Sequence, residues 1–281
     1  IIGLGDSPVP DVPEAEVRDM GGDIVMPGMV NTHCHMAMSL FRGLGADVDD
    51  RLFRYMLPLE RKFVSPEMVR AGSTLSALEM IMGGVTTVAD MYYHETEVAD
   101  VIIRSGMRGV VGQTLADFNP PDHRDFDEGF AMCDALVDHC AGHARVTASI
   151  APHAPYSTGI KIMERVVDWH EAHPQTRVQI HLAETEDEAI WAYKTHAMST
   201  TAVCDLAGLL KPGTIAAHCL LIDDADIETL ARTGTGVAHN ARSNGKAGRG
   251  MARVEDMRAA GIPVGIASDG PMSGNTLDLF S

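Results

Sequence analysis

A chain of 281 residues is long enough to bury a large core, and α/β barrels reach this length as one unit. Its 22 Lys+Arg against 39 Asp+Glu give a formal net charge of −17, which repels phosphate backbones and anionic membranes and disfavours both as partners. No apolar run approaches the ~20 residues that span a bilayer, and the five cysteines form no C-x-x-C pair, so a disulfide framework and a cysteine zinc cage are unsupported and a soluble protein of the reducing cytoplasm is expected.

Residues 1–23, with Pro8, Pro10, Pro13 and the Gly21-Gly22 pair, read as the remnant of a small accessory β-region; Pro27-Gly28 then turns the chain into a second unit over 24–281. There, β-branched runs alternate with amphipathic segments, the pattern of βαβ units on a parallel sheet. Strands are expected at 29–32, 85–90, 109–113, 146–151, 178–182, 214–218, 236–239 and 264–269, and helices at 66–82, 95–105, 127–141, 160–173, 200–207, 223–232 and 253–260. The first helix declares its ends: Ser65 caps it, Pro66 takes its first position and Gly83-Gly84 stops it. Long insertions follow strands 1 and 5, including a helix-like stretch at 50–63, and such loops usually shape pockets. Eight strands separated by helices predict an α/β fold, a (β/α)8 TIM-type barrel. The chain starts without Met and ends at Asp278-Leu279-Phe280-Ser281 as if entering a helix, so a fragment with an incomplete C-terminus is expected.

The candidate chemistry gathers where the strands end, the active face of such a barrel. His33 and His35 lie one residue apart after an apolar run, and alternation along a strand lets both imidazoles address one ion. His181, His218 and Asp269 each end a later apolar run, and these residue types suit a borderline metal such as zinc. A carboxylate after the apolar run into Asp269 is expensive to bury unless a cation faces it. Glu184, three residues beyond His181, can share the cavity and move protons to and from a water, whereas Glu186, Asp187 and Glu188 read as a solvated helix start. His239 stands between a site role and structural support. Cys34 and Cys219 alternate away from the site and read as core, as do the 17 methionines. Gly234-Thr235-Gly236 lacks the third glycine of a dinucleotide fingerprint, and Asn240–Gly245 lacks the first glycine of a nucleophile elbow.

The runs Met26-Pro27-Gly28-Met29-Val30-Asn31-Thr32-His33-Cys34-His35, Leu40-Phe41-Arg42-Gly43-Leu44, His181-Leu182-Ala183-Glu184-Thr185, Ala216-Ala217-His218-Cys219 and Ser268-Asp269-Gly270 resemble the amidohydrolase superfamily, and within it the methylthioadenosine and S-adenosylhomocysteine deaminases. The resemblance implies one zinc per chain, or Fe2+ or another divalent ion, on His33, His35, His181 and Asp269. It implies Glu184 as proton shuttle and His218 as the group that steadies the attacking hydroxide and the substrate. Asp269 counts with Glu184 and His218 among the catalytic groups. Glu60 and His153 match the residues that hold ribose hydroxyls in that family, and Arg124 is the nearest candidate for a homocysteine carboxylate. A small-molecule substrate and a homo-oligomer are implied too. Residues 242–250 and Pro271 depart from the family pattern, so an aminohydrolase or chlorohydrolase of guanine-like bases, pterins or triazines stays open, as does an inactive barrel serving as a partner subunit.

Overall fold

The computed structural model describes Gly5, residues 13–46, Val48 and residues 51–280. Eight parallel strands pair strictly in chain order: β1 Met29–Cys34, β2 Val85–Tyr92, β3 Arg108–Leu115, β4 Val146–Pro152, β5 Arg177–Leu182, β6 Thr214–His218, β7 Gly236–His239 and β8 Val264–Ile266. The outer strands meet as well. Thr32 Oγ1 donates to the Ile266 carbonyl at 3.0 Å, the Asp269 N–H reaches the His33 carbonyl at 3.1 Å, and Asn31 Nδ2 donates to Ser268 Oγ at 2.7 Å. The strands thus form a nearly closed barrel of the expected TIM type. Gly265 permits the closure, because a Cβ there would fall 2.3 Å from the Thr32 side chain.

Helices follow the strands: α1 Leu57–Phe63, α2 Pro66–Met82, α3 Glu95–Ser105, α4 Phe126–Cys140, α5 Pro155–Ala172, α6 Glu186–His196, α7 Thr200–Leu206, α8 Asp224–Thr233, α9 Ala241–Lys246, α10 Val254–Ala259 and α11 Pro271–Gly274. Ser65 caps α2 as its sequence promised, accepting from the Met68 N–H at 3.3 Å. α5 begins five residues before its expected start, but Gly159 (φ 72°) breaks the helix just where the amphipathic pattern starts. The stretch at 50–63 is a π-helical turn, Leu52–Met56, running into α1; residue 50 lies outside the described residues. α9 and α11 have no counterpart among the expected elements, and α6 had only its acidic start at Glu186-Asp187-Glu188. Of the expected accessory region, residues 1–4 and 6–12 lie outside the described residues, and residues 13–28 make turns but no strand.

Outward-facing strand residues pack under the helices in two groups, one around Met80, Val88, Ile102 and Leu136 and one around Met163, Ile180, Leu182 and Leu209. Inside, small residues leave room: Gly112 lies where a Cβ would come 2.6 Å from Gln179 Nε2, which crosses from β5 to donate to the Asp90 carbonyl on β2 at 2.9 Å. All five cysteines are buried and free. Val30 on β1 and Ile266 on β8 are 49% and 60% exposed, an uncovered face at the seam. Among the described residues, no helix is long and apolar enough to cross a membrane.

Candidate metal centre and active site

Strand order brings the candidates together. His33 lies on β1 and His35 just beyond it, His181 ends on β5, His218 closes β6, and Asp269 follows β8 by three residues. Their burial is nearly complete. Ligand atoms of His33, His35 and Asp269 lie within 4.8 Å of one another, and so do those of His33, His181 and His218. His35 Nε2 stands 3.4 Å from both His181 Nε2 and Asp269 Oδ1.

Alternation alone would not aim His218. Its register partner Leu182 packs outward under the helices, as does Ala216 two residues earlier. A left-handed backbone at His218 (φ 75°) turns the ring inward, and Asp269 (φ 60°) and Ala183 (φ 52°) take the same region. Non-glycine residues rarely adopt it, and such strain gathers where a site over-determines the backbone. The sequence reading ran the last strand on to Asp269; the ladder ends at Ile266 because the chain turns there to present the carboxylate.

The rings are oriented from behind. His35 Nδ1 donates to the Met91 carbonyl at 2.5 Å, His181 Nδ1 to the His153 carbonyl at 2.7 Å, and His218 Nδ1 to Asn244 Oδ1 at 2.9 Å. An oxygen acceptor fixes the proton on Nδ1, so each Nε2 presents a lone pair to the centre. His33 Nε2 is buried with no hydrogen-bond partner among the described residues. Converging bare nitrogens repel one another unless a cation sits among them, and three imidazoles with a carboxylate form a common zinc donor set with room for a water. The residues present therefore fit a divalent metal.

Charge follows the same logic. Burial, then the neighbouring His35, holds His181 down to about 4 and His33 well below its usual range, so both are neutral. For His35 burial opposes the charge, but the Asp269 hydrogen bond and charge outweigh it and push the ring up to about 9; a cation would take that proton's place. Asp269 is raised by burial yet falls well below the carboxylate range because the His35 hydrogen bond and the His218 ring outweigh it. Ser243 Oγ donates to its Oδ2 at 2.5 Å and the Gly270 N–H to its Oδ1 at 2.7 Å.

A cleft of about 1020 Å³ opens over this cluster and is lined by His35, Glu60, His153, His181, Glu184, His218 and Asp269 among others. Glu184 Oε2 lies 3.8 Å from His218 Nε2, and the Arg249 guanidinium grips Oε1. Burial raises the Glu184 pKa, but His218, Arg249 and His181 more than reverse it. Glu60 on α1 is buried and pushed up to about 7. The His153 ring packs against His181 at 4.8 Å between centroids and is held well below its usual pKa by burial.

Not every expected residue arrives. Arg124 is exposed, its guanidinium and backbone N–H both engaged by Glu128, and it does not line the cleft. His239 ends β7 partly buried, outside the cleft lining. Glu186 and Asp187 are solvated at the start of α6, but Glu188 is only 2% exposed. Its oxygens accept the N–H groups of Ala183 and Glu184 at 2.8 and 3.0 Å and so set the turn that carries Glu184. A helix-start reading could not see that this face of α6 turns inward. Sequence reasoning also passed over Ser243, Asn244 and Arg249, although a polar run directly after β7 was a signal for site residues.

The amidohydrolase family model matches residues 24–281. The chain belongs to the amidohydrolase family. Among this amidohydrolase's relatives, a protein of Syntrophobacter fumaroxidans named 5-methylthioadenosine/S-adenosylhomocysteine deaminase is 34% identical over 99% of the chain and 64% of its own length. A 5′-deoxyadenosine deaminase of Methanobrevibacter smithii is 35% identical over 94% of the chain and 61% of its own. The amidohydrolase chain thus spans less than two thirds of the curated relatives it matches. In structure it resembles a zinc-bound adenosine deaminase from Xanthomonas campestris (TM-score 0.88, 32% identity, 91% of this chain and 58% of that one). It also resembles a guanine deaminase from C. acetobutylicum with bound guanine (TM-score 0.83, 26% identity, 90% and 63%).

Proposed function

We propose that this barrel is the catalytic unit of a metal-dependent hydrolytic deaminase of adenosine-type nucleosides: S-adenosylhomocysteine, methylthioadenosine or adenosine. The observation that carries the reading is one cleft holding the histidine cluster, the Glu184 carboxylate and, on its wall, Glu60 and His153. The deaminase names of the relatives support it. His33, His35, His181 and Asp269 would hold one zinc, and a bound metal supplies a Lewis acid that brings the pKa of a water toward ~7. Glu184 takes one proton from the attacking water and hands it to the adenine ring nitrogen as the oxygen bonds to the amino-bearing carbon; the remaining hydroxyl proton passes to the amino nitrogen, the bond from ring carbon to amino nitrogen breaks, and ammonia leaves. Its 3.8 Å approach to His218 lets that ring stabilise charge as it develops. Asp269, fixed by Ser243 and Gly270, accepts a hydrogen bond from the water.

Glu60 and His153 would pair with ribose hydroxyls, and a site built for hydroxyls leaves buried polar groups unsatisfied when they are missing. One observation favours a second reading. Arg51 and Arg249 line the cleft, Arg249 within the segment that departs from the family pattern, and guanidinium donors suit a ring carbonyl oxygen such as a guanine-like base carries. Ammonia release across nucleosides, free bases and pterins separates the two. Nucleosides should exceed free adenine by orders of magnitude in kcat/KM. Glu60→Ala should cost nucleosides roughly tenfold to a few hundredfold, the worth of a charged hydrogen bond at ~1.5 to 3 kcal/mol, and free bases little. Better turnover of a free base than of any nucleoside would give the second reading its place.

A further inference from the structure

A second buried carboxyl pair lies behind the histidine cluster, on the helix-facing side of the sheet. Asp90 on β2 and Glu95, the first residue of α3, are both fully buried, in a layer otherwise made of Val88, Ile102, Val111 and Leu136. Neither lines the cleft. A carboxylate in such a layer is costly unless its oxygens are used. Asp90 Oδ1 accepts the Met36 N–H at 2.6 Å and the Cys34 thiol at 3.3 Å, the two residues flanking His35. The next residue of the same strand, Met91, accepts His35 Nδ1 on its carbonyl. Asp90 is itself pinned, since its carbonyl takes the Gln179 amide from across the barrel. The two carboxyls face one another, and Glu95 also draws on the Gly112 backbone. Burial and the facing Asp90 carboxyl raise Glu95 well above the carboxylate range.

We propose that Asp90 is a positioning residue for the metal site: it holds the Met36 N–H and the Cys34 thiol on the two sides of His35 while the next residue, Met91, holds the ring itself, and together, as a clamp, they fix the direction of the His35 Nε2 lone pair. The inference rests on His35 being a ligand. The segment after His35 bends at once into a 3-10 turn, Met36–Phe41, whose Met36 carbonyl also takes the Ser76 hydroxyl at 2.6 Å, and the ladder between β1 and β2 slips its register between Asn31 and Cys34.

The test uses the full chain, stripped of metal and titrated with zinc against a chelating dye, together with the visible spectrum of the cobalt-loaded protein and the melting temperature of the metal-free forms. Asp90→Ala should weaken zinc binding about 10- to 100-fold, the usual cost of losing a group that orients a ligand, and should change the cobalt spectrum. Asp90→Asn keeps the size and one acceptor oxygen, should fall between wild type and Asp90→Ala, and decides the matter if Asp90→Ala does not fold. Val111→Ala, which opens a hole in the same layer, should lower the melting temperature and leave zinc affinity and spectrum unchanged. If His35→Ala weakens zinc binding while both Asp90 variants bind like wild type, or Val111→Ala loses as much affinity as Asp90→Ala, the clamp is overturned and the ligand reading survives. If His35→Ala binds zinc like wild type, the ligand reading falls and the clamp with it.

Discussion

An imidazole offers a lone pair in a fixed direction only when its other nitrogen is occupied, and here Met91, His153 and Asn244 occupy it for His35, His181 and His218. Ligation in the proposed set would therefore depend on the Met91 and His153 carbonyls as much as on His35 and His181. A His33→Ala, His35→Ala double variant should lose its metal, read by elemental analysis against a wild type with one ion per chain; undiminished metal content would contradict the assignment. Glu184→Gln keeps size and removes proton transfer, so it should retain metal and lower kcat by at least ~100-fold. Near-normal turnover would place the shuttle elsewhere. That the histidines and Glu184 converge on one cleft was legible because all stand at strand ends. Glu188 was not, because burial of one carboxylate in an acidic run is set by which face of α6 meets the barrel.

Elements were legible in proportion to how much of their identity is local. α2 carries its cap, its first proline and its terminating glycines in the chain, and the structure places it at Pro66–Met82 as read. The eight strands followed from short β-branched runs alternating with amphipathic segments. α9, six residues in a polar run, has no counterpart among the expected elements, and of α6 only the acidic start was legible, because both carry weak periodicity. How α2 meets the segment after His35 is likewise tertiary: Gly72 lies so close that a Cβ would fall 2.3 Å from the Ala37 carbonyl, and Ser39 Oγ and Ser76 Oγ tie the two at 2.7 and 2.6 Å. Gly72→Ala should therefore destabilise the protein by about 1–3 kcal/mol in denaturant unfolding, the range for overpacking. A change within experimental error would mean that α2 can shift without cost.

At the scale of the molecule, the cluster exists only when the barrel closes, since the proposed ligands come from β1 and the residue after it, β5 and the turn after β8. A metal that binds the folded state and not the dispersed ligands should stabilise it by about 4 kcal/mol at a free concentration a thousandfold above Kd. Dialysis against chelator should accordingly lower the melting temperature by several degrees, with zinc restoring it. Equal melting of both forms would show that the site is not coupled to folding. The seam between β8 and β1, with Val30 and Ile266 exposed outside and Gly265 against Thr32, is where that coupling is expected to be strongest.

The sequence by itself determined the eightfold alternation, the strand ends as the place of chemistry and the residue types that gather there, because hydrophobic period and donor chemistry are written residue by residue. Tertiary structure alone decided that Arg124 faces solvent with Glu128 while Arg249 reaches Glu184. It also decided that Asn244 and Ser243 serve His218 and Asp269, and that left-handed backbone turns His218 and Asp269 into the cleft. Each of these depends on which distant loop a strand end meets once the barrel is closed, a distance that no local pattern encodes.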